Sequence, residues 1–376
     1  MHPPHVLITC KKRGWSGETA MIVALARGLA AADFRVSVAA PPGASVATRL
    51  EVESIGLLPI PFNKNRPGIL WRMPRDVALL ARFIRRERVD LVHCHASHDT
   101  WCAALARTLI GENAPPLVRT KHNLKRIRET AANRWYYGRA IDRVIAPSGA
   151  VEAHLRASPI VPADHVRRVP NGIPPPPAAR PDRAEARARL GLAPDAEVAL
   201  VASRLTARKD VLVAAQAVAG LRAERPNLRL LIAGAGDADV REPLEGLARE
   251  AGTIVLLGHV DDLEPLYAAA DLFVAPARDE PFGLAPLEAM ARGVPAIVSD
   301  APGHRDFARP EETAVLFPPG DTRALGDAIV RLLDDRALHA RLAAEGARAA
   351  EAFTVDAMIQ GTLAVYAELL RNSSRA

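Results

Sequence analysis

From one end of the chain to the other, short apolar or β-branched runs alternate with helix-length amphipathic segments. That alternation belongs to parallel sheets with helices on both faces, so the expected fold class is α/β and doubly wound. In the first half the candidate strands are Val6–Thr9, Arg35–Ala39, Asp90–His93, Leu117–Thr120, Arg143–Ala146 and Val166–Val169. In the second half they are Val198–Ala202, Leu228–Ala233, Ile254–Leu257, Leu272–Ala275, Ala296–Ser299 and Ala314–Phe317. Between the two sets stands Pro174-Pro175-Pro176-Pro177, which can neither donate to a sheet nor continue a helix and reads as a semi-rigid extended linker. The last helix, Val355–Arg371, carries Met358, Ile359, Leu363, Tyr366, Leu369 and Leu370 at helical spacing and must bury that stripe.

A chain of 376 residues has room for two or three domains and hides about three quarters of its unfolded surface, so neither disulfide nor metal is needed to hold it. Cys10, Cys94 and Cys102 contain no CxxC pair and fit reduced thiols. The longest stretch without a charged residue, Val36–Thr48, has 13 residues and contains Pro41, Pro42 and Gly43, short of the ~18 apolar residues of a membrane span. The apolar run Val6–Cys10 precedes Lys11, Lys12 and Arg13, the reverse of a secretory signal, so a cytoplasmic location is expected. Charge is divided unevenly: 26 basic against 13 acidic residues in Met1–Pro177, and 23 against 30 in Ala178–Ala376. A basic half attracts nucleic acid, anionic headgroups or phosphorylated substrates alike; with no nucleic-acid motif beside the charge, an anionic membrane surface ranks first and nucleic acid is not expected.

The most informative stretch is Glu280-Pro281-Phe282-Gly283-Leu284-Ala285-Pro286-Leu287-Glu288, followed by Ala289-Met290-Ala291-Arg292-Gly293-Val294-Pro295. Pro281 and Gly283 hold its first part in a loop, and Pro286 suits the first turn of a helix that Gly293 and Pro295 end. Glu280 then lies on a strand-to-helix loop, Glu288 on the helix. The amides of Gly283 to Ala285 face the carboxyl ends of the strands, where open α/β sheets bind anions. Arg204 and Lys209 follow the strand Val198–Ala202 at its carboxyl end; by themselves they would read as surface charges. Lys11-Lys12-Arg13-Gly14-Trp15-Ser16-Gly17-Glu18 is a glycine loop after the first strand, able to approach a phosphate or to serve as a plain turn.

With these residues the chain resembles the retaining glycosyltransferases of family 4, whose signature is a Glu, seven residues and a second Glu, with Phe-Gly-Leu inside and Glu-Ala-Met-Ala after; Glu280 to Ala291 matches it. Ser203-Arg204-Leu205-Thr206-Ala207-Arg208-Lys209-Asp210 is similar to the family's Gly-Arg-Leu…Lys-Gly segment, with Ser203 and Asp210 where glycines are usual. Gly258-His259-Val260-Asp261-Asp262, Leu266-Tyr267, Ala270-Asp271 and Asn171-Gly172-Ile173 resemble further blocks, Pro174 standing where an Asp often follows. The resemblance implies a GT-B fold, two Rossmann-like domains facing a central cleft. It implies an acceptor-binding domain over residues 1–173, a linker over 174–180 and a nucleotide-sugar domain over 181–354, with the helix 355–371 a candidate to fold back on the first.

The resemblance also implies roles. Arg204 and Lys209 grip the donor diphosphate, Glu280 holds a hydroxyl of the transferred sugar, Glu288 bonds the ribose, and Gly283 and Leu284 belong to the donor site. Gly17 takes the place of the second glycine of the family's Gly-Gly loop, His95 that of a histidine near the anomeric carbon, and Lys121 and His122 that of a Thr-x-His position near the acceptor. The expected activity is metal-independent, retaining transfer of a sugar from a nucleoside diphosphate to an anionic glycolipid or saccharide in cell-envelope polysaccharide or lipopolysaccharide biosynthesis, with no cofactor. An Arg fork, a Lys and a helix N-terminus supply the charge a departing diphosphate needs. Rival readings are an epimerase or glycan phosphorylase of the same architecture, a non-catalytic nucleotide-sugar binder, and a glycosidase, whose carboxyl pair would have to stand about 5 Å apart.

Other motifs read as structure. His93-Cys94-His95 with His98 suggests metal, but no carboxylate or further Cys/His cluster is expected to complete a tetrahedral set in the neighbourhood. Asp237-Ala238-Asp239 is expected to be solvated, and Gly234-Ala235-Gly236 lacks the third glycine of a dinucleotide fingerprint. Two basic regions remain: Arg72, Arg75, Arg82, Arg85, Arg86 and Arg88 around a helix over Asp76–Arg88, and Arg119, Lys121, Lys125, Arg126, Arg128, Arg134 and Arg139. With Trp71, Trp135, Tyr136 and Tyr137 they read as a sheet-packing helix with a charged outer face or as a peripheral membrane contact.

Overall fold

The computed structural model describes residues 2–51, 53, 55–62 and 69–373, and the side chains of residues 69–72 and 372–373, Trp71 and Arg72 among them, lie outside this description. The chain forms two compact units, Met1–Gly172 with Val355–Ala376, and Ile173–Thr354.

The first unit is built on strands β1 (His5–Thr9), β2 (Arg35–Ala40), β3 (Gly56–Pro59), β4 (Leu91–Cys94), β5 (Leu117–Thr120), β6 (Arg143–Ala146) and β7 (Val166–Arg168). They form a parallel sheet in the order β3-β2-β1-β4-β5-β6-β7. β3 is not among the expected strands. As a half-exposed edge strand ending in Pro59 it carries no run of buried apolar residues, because an edge strand has less to bury and tolerates proline. The helix expected over Asp76–Arg88 spans Ile69–Glu87 and stops where Arg88 takes a left-handed φ of 49°.

The last helix, Val355–Ser373, belongs to this first unit. Two close approaches seat it: a Cβ on Gly28 would stand 2.0 Å from Ile359 Cδ1, and one on Gly361 would stand 2.9 Å from Val169. Tyr366 is fully buried, its hydroxyl 2.7 Å from His93 Nδ1, and Glu368 pairs with Arg143 at 3.0 Å and Arg167 at 2.8 Å.

The second unit contains β8 (Glu197–Ala202), β9 (Leu228–Ala233), β10 (Ile254–Gly258), β11 (Leu272–Ala275), β12 (Ala296–Ser299) and β13 (Val315–Phe317), all parallel, in the order β10-β9-β8-β11-β12-β13. Successive residues of β8 feed opposite cores, Ala199 and Val201 into one and Val198, Leu200 and Ala202 into the other. With both faces buried, such strands need apolar residues throughout, each large aliphatic side chain contributing about 1.5–3 kcal/mol. In both units the strand order reverses beside the first strand, between β1 and β4 and between β8 and β11, and ligands bind open α/β sheets outside the carboxyl ends at such points.

Candidate active site

In the second unit, the loops leaving β8 and β11 meet at the reversal point. Three consecutive residues of one loop pair with three of the other. Arg278 Nε stands 2.6 Å from the Asp210 carboxylate, Arg208 pairs with Asp279 at 3.4 Å, and Lys209 pairs with Glu280. The Arg278 amide also donates to the Arg208 carbonyl at 2.9 Å. Asp210 has φ 49° and ψ 38°, a left-handed conformation that explains why glycine suits this position and why Asp is tolerated in its stead. Its carboxylate goes to Arg278, which leaves Lys209 to Glu280. Arg204 is exposed and has no ion-pair partner among the described residues.

The Gly234-Ala235-Gly236 segment shapes this loop from below. A Cβ on Gly234 would stand 1.8 Å from the Ser203 carbonyl oxygen and one on Gly236 2.0 Å from that of Leu205, while the Leu205 amide donates to Ala235 O at 3.1 Å. The glycines serve backbone contact beside Arg204, and Asp237 and Asp239 are exposed.

Glu280 is only 8% exposed. Burial by itself would raise its pKa, but Lys209, the nearby His304 and the Phe282 amide outweigh that and hold the carboxyl below its ordinary range. Gly283, at φ 105°, caps the helix Leu284–Ala291, whose first residues include Leu284 and Pro286. Glu288, on that helix, accepts from the Tyr267 hydroxyl at 3.1 Å, and burial raises its pKa. Arg292 stacks on Tyr267 at 5.1 Å while pairing with Glu264. Lys209, Glu280 and Gly283 thus line one small cavity, whereas Glu288 faces Tyr267. His304, which also lines that cavity, escapes sequence reasoning; its one signal is a place just beyond the carboxyl end of β12.

In the first unit, Gly17 opens the helix Gly17–Ala31, with Ser16 as N-cap in a capping box with Thr19. Lys12 pairs with Glu18 at 2.8 Å. At the carboxyl ends of β4 and β5, three imidazoles stack: His93 on His95 at 4.4 Å and His95 on His122 at 5.3 Å, with His95 Nδ1 3.0 Å from His122 Nε2. Burial and the neighbouring imidazoles lower the pKa of His93 and His95, and burial with the Lys12 and Arg119 charges lowers that of His122, so the stack is neutral. Lys121 is 3% exposed, donates to Asn123 Oδ1 at 3.0 Å and Lys125 O at 3.2 Å, and is pushed down to about 7 by burial and the Arg119 and Lys125 charges.

Of the His93-Cys94-His95 run, His93 bonds Tyr366 and Thr120, and His95 bonds His122. A different trio, Asp76, His98 and Cys102, brings its donor atoms within 4.8 Å of one another in the first unit. The second basic region divides. Arg119 is 3% exposed and donates to the Tyr136 and Tyr137 hydroxyls, both at 2.9 Å, so these three belong to the interior and not to a membrane-facing surface. Arg75, Arg82, Arg85, Arg86 and Arg88, and Lys125, Arg126, Arg128, Arg134 and Arg139, are exposed. Among the described residues no helix is long and apolar enough to cross a membrane.

Residues 15–175 match the family described as Glycosyltransferase Family 4, and residues 182–349 the one described as Glycosyl transferases group 1. The D-inositol 3-phosphate glycosyltransferase of Xylanimonas cellulosilytica is 32% identical over 307 residues, covering 74% of this chain and 72% of that protein. The chain belongs to glycosyltransferase family 4. A second relative of this transferase is the lipopolysaccharide core biosynthesis mannosyltransferase LpsB of Rhizobium meliloti, 28% identical over 326 residues and 82% of each chain. The structure of HepE from Anabaena, solved with UDP and glucose, is similar in fold, with a TM-score of 0.82 at 21% identity over 97% of this chain and 99% of that one. The transferase thus has the two Rossmann-like domains of the GT-B group.

Proposed function

We propose that this glycosyltransferase moves a sugar, with retention and without a metal, from a nucleoside diphosphate to an anionic glycolipid or saccharide acceptor in lipopolysaccharide or related envelope biosynthesis. The observation that carries the donor half is the meeting of Lys209, Glu280 and the Gly283-capped helix at the reversal point of the second sheet, with Arg204 on the same loop. When the bond between the anomeric carbon and the diphosphate breaks, negative charge grows on the phosphate oxygens. Arg204, Lys209 and the helix amides oppose that charge, as a preorganised cationic site does. The acceptor hydroxyl attacks from the face the diphosphate leaves; its oxygen bonds the anomeric carbon and its proton passes to the departing phosphate. No protein base is assigned.

Glu280 is assigned to a sugar hydroxyl, Glu288 to the ribose, Gly283, Leu284 and Gly17 to the donor, His95 to the reacting sugar, and Lys121 and His122 to the acceptor. The lipopolysaccharide relative supports the acceptor class. The exposed arginines 82, 85 and 86 support a peripheral contact with anionic lipid at the inner face of the cytoplasmic membrane. The test is a panel of sugar nucleotides assayed for nucleoside diphosphate release with and without lipopolysaccharide-core or lipid-linked acceptors, followed by the anomeric configuration of the product. Acceptor-dependent release and a retained configuration are expected; release without transfer, or inversion, would overturn the reading.

A further inference from the structure

His304 is 1% exposed and its placement is over-determined. Its amide donates to Ala301 O at 3.0 Å, and the preceding Gly303 donates to Glu280 O at 2.9 Å. A Cβ on Gly303 would stand 2.3–2.4 Å from backbone atoms of Glu280, Pro281 and Phe282, so a residue without a side chain is what brings this turn against the Glu280 loop. The imidazole Nδ1 lies 2.8 Å from the Ser299 carbonyl oxygen, which can only accept. Nδ1 therefore carries the hydrogen, and in the neutral ring Nε2 is left with a lone pair. Burial, the leading influence, pushes the His304 pKa below its ordinary value and keeps the ring neutral.

That lone pair has no partner among the described residues, although Nε2 is buried. His304 borders a cavity of about 30 Å³ that Lys209 and Glu280 also line. A cavity needs about 10–15 Å³ of such space to hold a water, so this one has room for a water or a hydroxyl group, and three polar groups meet the two to four partners such a group requires. Resting on the donor reading above, we propose that His304 Nε2 accepts a hydrogen bond from a single hydroxyl group seated beside Glu280 and Lys209. In the donor complex that hydroxyl belongs to the transferred sugar, which makes His304 a specificity-determining residue for the sugar. In the nucleotide-free enzyme a water takes the place.

The test has two arms. In the first, calorimetric titrations compare UDP with UDP-glucose and GDP with GDP-mannose on the wild type, His304→Leu and His304→Gln. The sugar nucleotide that the wild type binds should lose about tenfold in affinity in His304→Leu, the size of one hydrogen bond, while its nucleoside diphosphate changes less than about twofold. His304→Gln, which keeps an acceptor oxygen, should recover most of the loss. Equal losses for both ligands, or none, would overturn the assignment. In the second arm, a high-resolution structure of the nucleotide-free protein should show a water within hydrogen-bond reach of Nε2, replaced by a sugar oxygen in the donor complex. A dry cavity would overturn the hydroxyl site, and a retained water with no sugar oxygen would overturn the sugar assignment. If the wild type bound neither sugar nucleotide, the donor choice would fail on its own while the nucleotide-free structure still decided the site.

Discussion

Replacing Lys209 with Ala tests the coupling at the centre of the proposed donor site, because it removes the cation that keeps a buried carboxyl charged. Glu280 is 8% exposed, and burial is the largest influence on it, opposed chiefly by Lys209. In the wild type its folded-state pKa lies below the unfolded value of about 4.3. Ionised Glu280 therefore contributes stability above that value, and the contribution is lost as pH falls through the folded pKa. Without Lys209, burial is opposed mainly by the Phe282 amide at 3.5 Å, since His304 is neutral, and the folded pKa should rise above the unfolded one. The sign then reverses: ionisation of Glu280 destabilises the variant as pH rises from the unfolded value towards the shifted one.

Breaking a buried pair costs about 3–5 kcal/mol. The Lys209 side chain is 27% exposed and Glu280 11%, so solvent screening lowers the expected loss to about 2–3 kcal/mol at neutral pH. For a unit of this size, that is a fall of about 4–12 °C in the unfolding midpoint, shrinking as pH falls through the wild-type folded pKa, below which the carboxyl is protonated in both proteins. Scanning calorimetry from acid to neutral pH would read the gap directly. The double variant Lys209→Ala with Glu280→Gln should show no such growth with pH. A gap of constant size in the single variant would refute the coupling.

The two glutamates should separate kinetically: Glu288→Gln should mainly weaken nucleotide binding, and Glu280→Gln should mainly lower kcat, as measured by nucleoside diphosphate release across donor concentrations. Loss of nucleotide affinity alone in both would remove Glu280 from the sugar. Gly234→Ala, which would set a Cβ 1.8 Å from Ser203 O, should destabilise by about 1–3 kcal/mol in denaturant titration, the usual cost of forcing atoms into a packed site. Vesicle co-sedimentation should show binding to anionic but not neutral lipid, weakening with salt and on replacing Arg82, Arg85 and Arg86 with Ser; equal binding to neutral vesicles would end the membrane reading.

The central strands were legible because both faces of each are buried, as the division of β8 between two cores shows. β3 was not: it is a short, half-exposed edge strand in which Gly56 and Pro59 interrupt the apolar residues and read as a turn. The sequence placed Glu280, Arg204 and Lys209 just beyond strand ends and Glu288 on the following helix, but their partners depend on which loops lie side by side. Nothing in Arg208-Lys209-Asp210 and Arg278-Asp279-Glu280 read separately says that each charge meets its opposite, nor that Asp210 turns to Arg278. Arg119 looked like surface charge because its interior partners, the Tyr136 and Tyr137 hydroxyls, arrive from a separate helical turn. His304 depends on a close approach that only Gly303 allows.

The central claim is that a cationic clamp, and not a metal, stabilises the departing diphosphate. The most direct measurement is single-turnover release of nucleoside diphosphate from the preferred sugar nucleotide, with acceptor present, for wild type and Arg204→Ala, each with and without chelator. The expected result is a rate about 10²- to 10³-fold lower in Arg204→Ala, with the fold intact by circular dichroism and no effect of chelator on either protein. A wild-type rate in the variant, or a wild-type rate abolished by chelator and restored by Mg²⁺, would contradict the account.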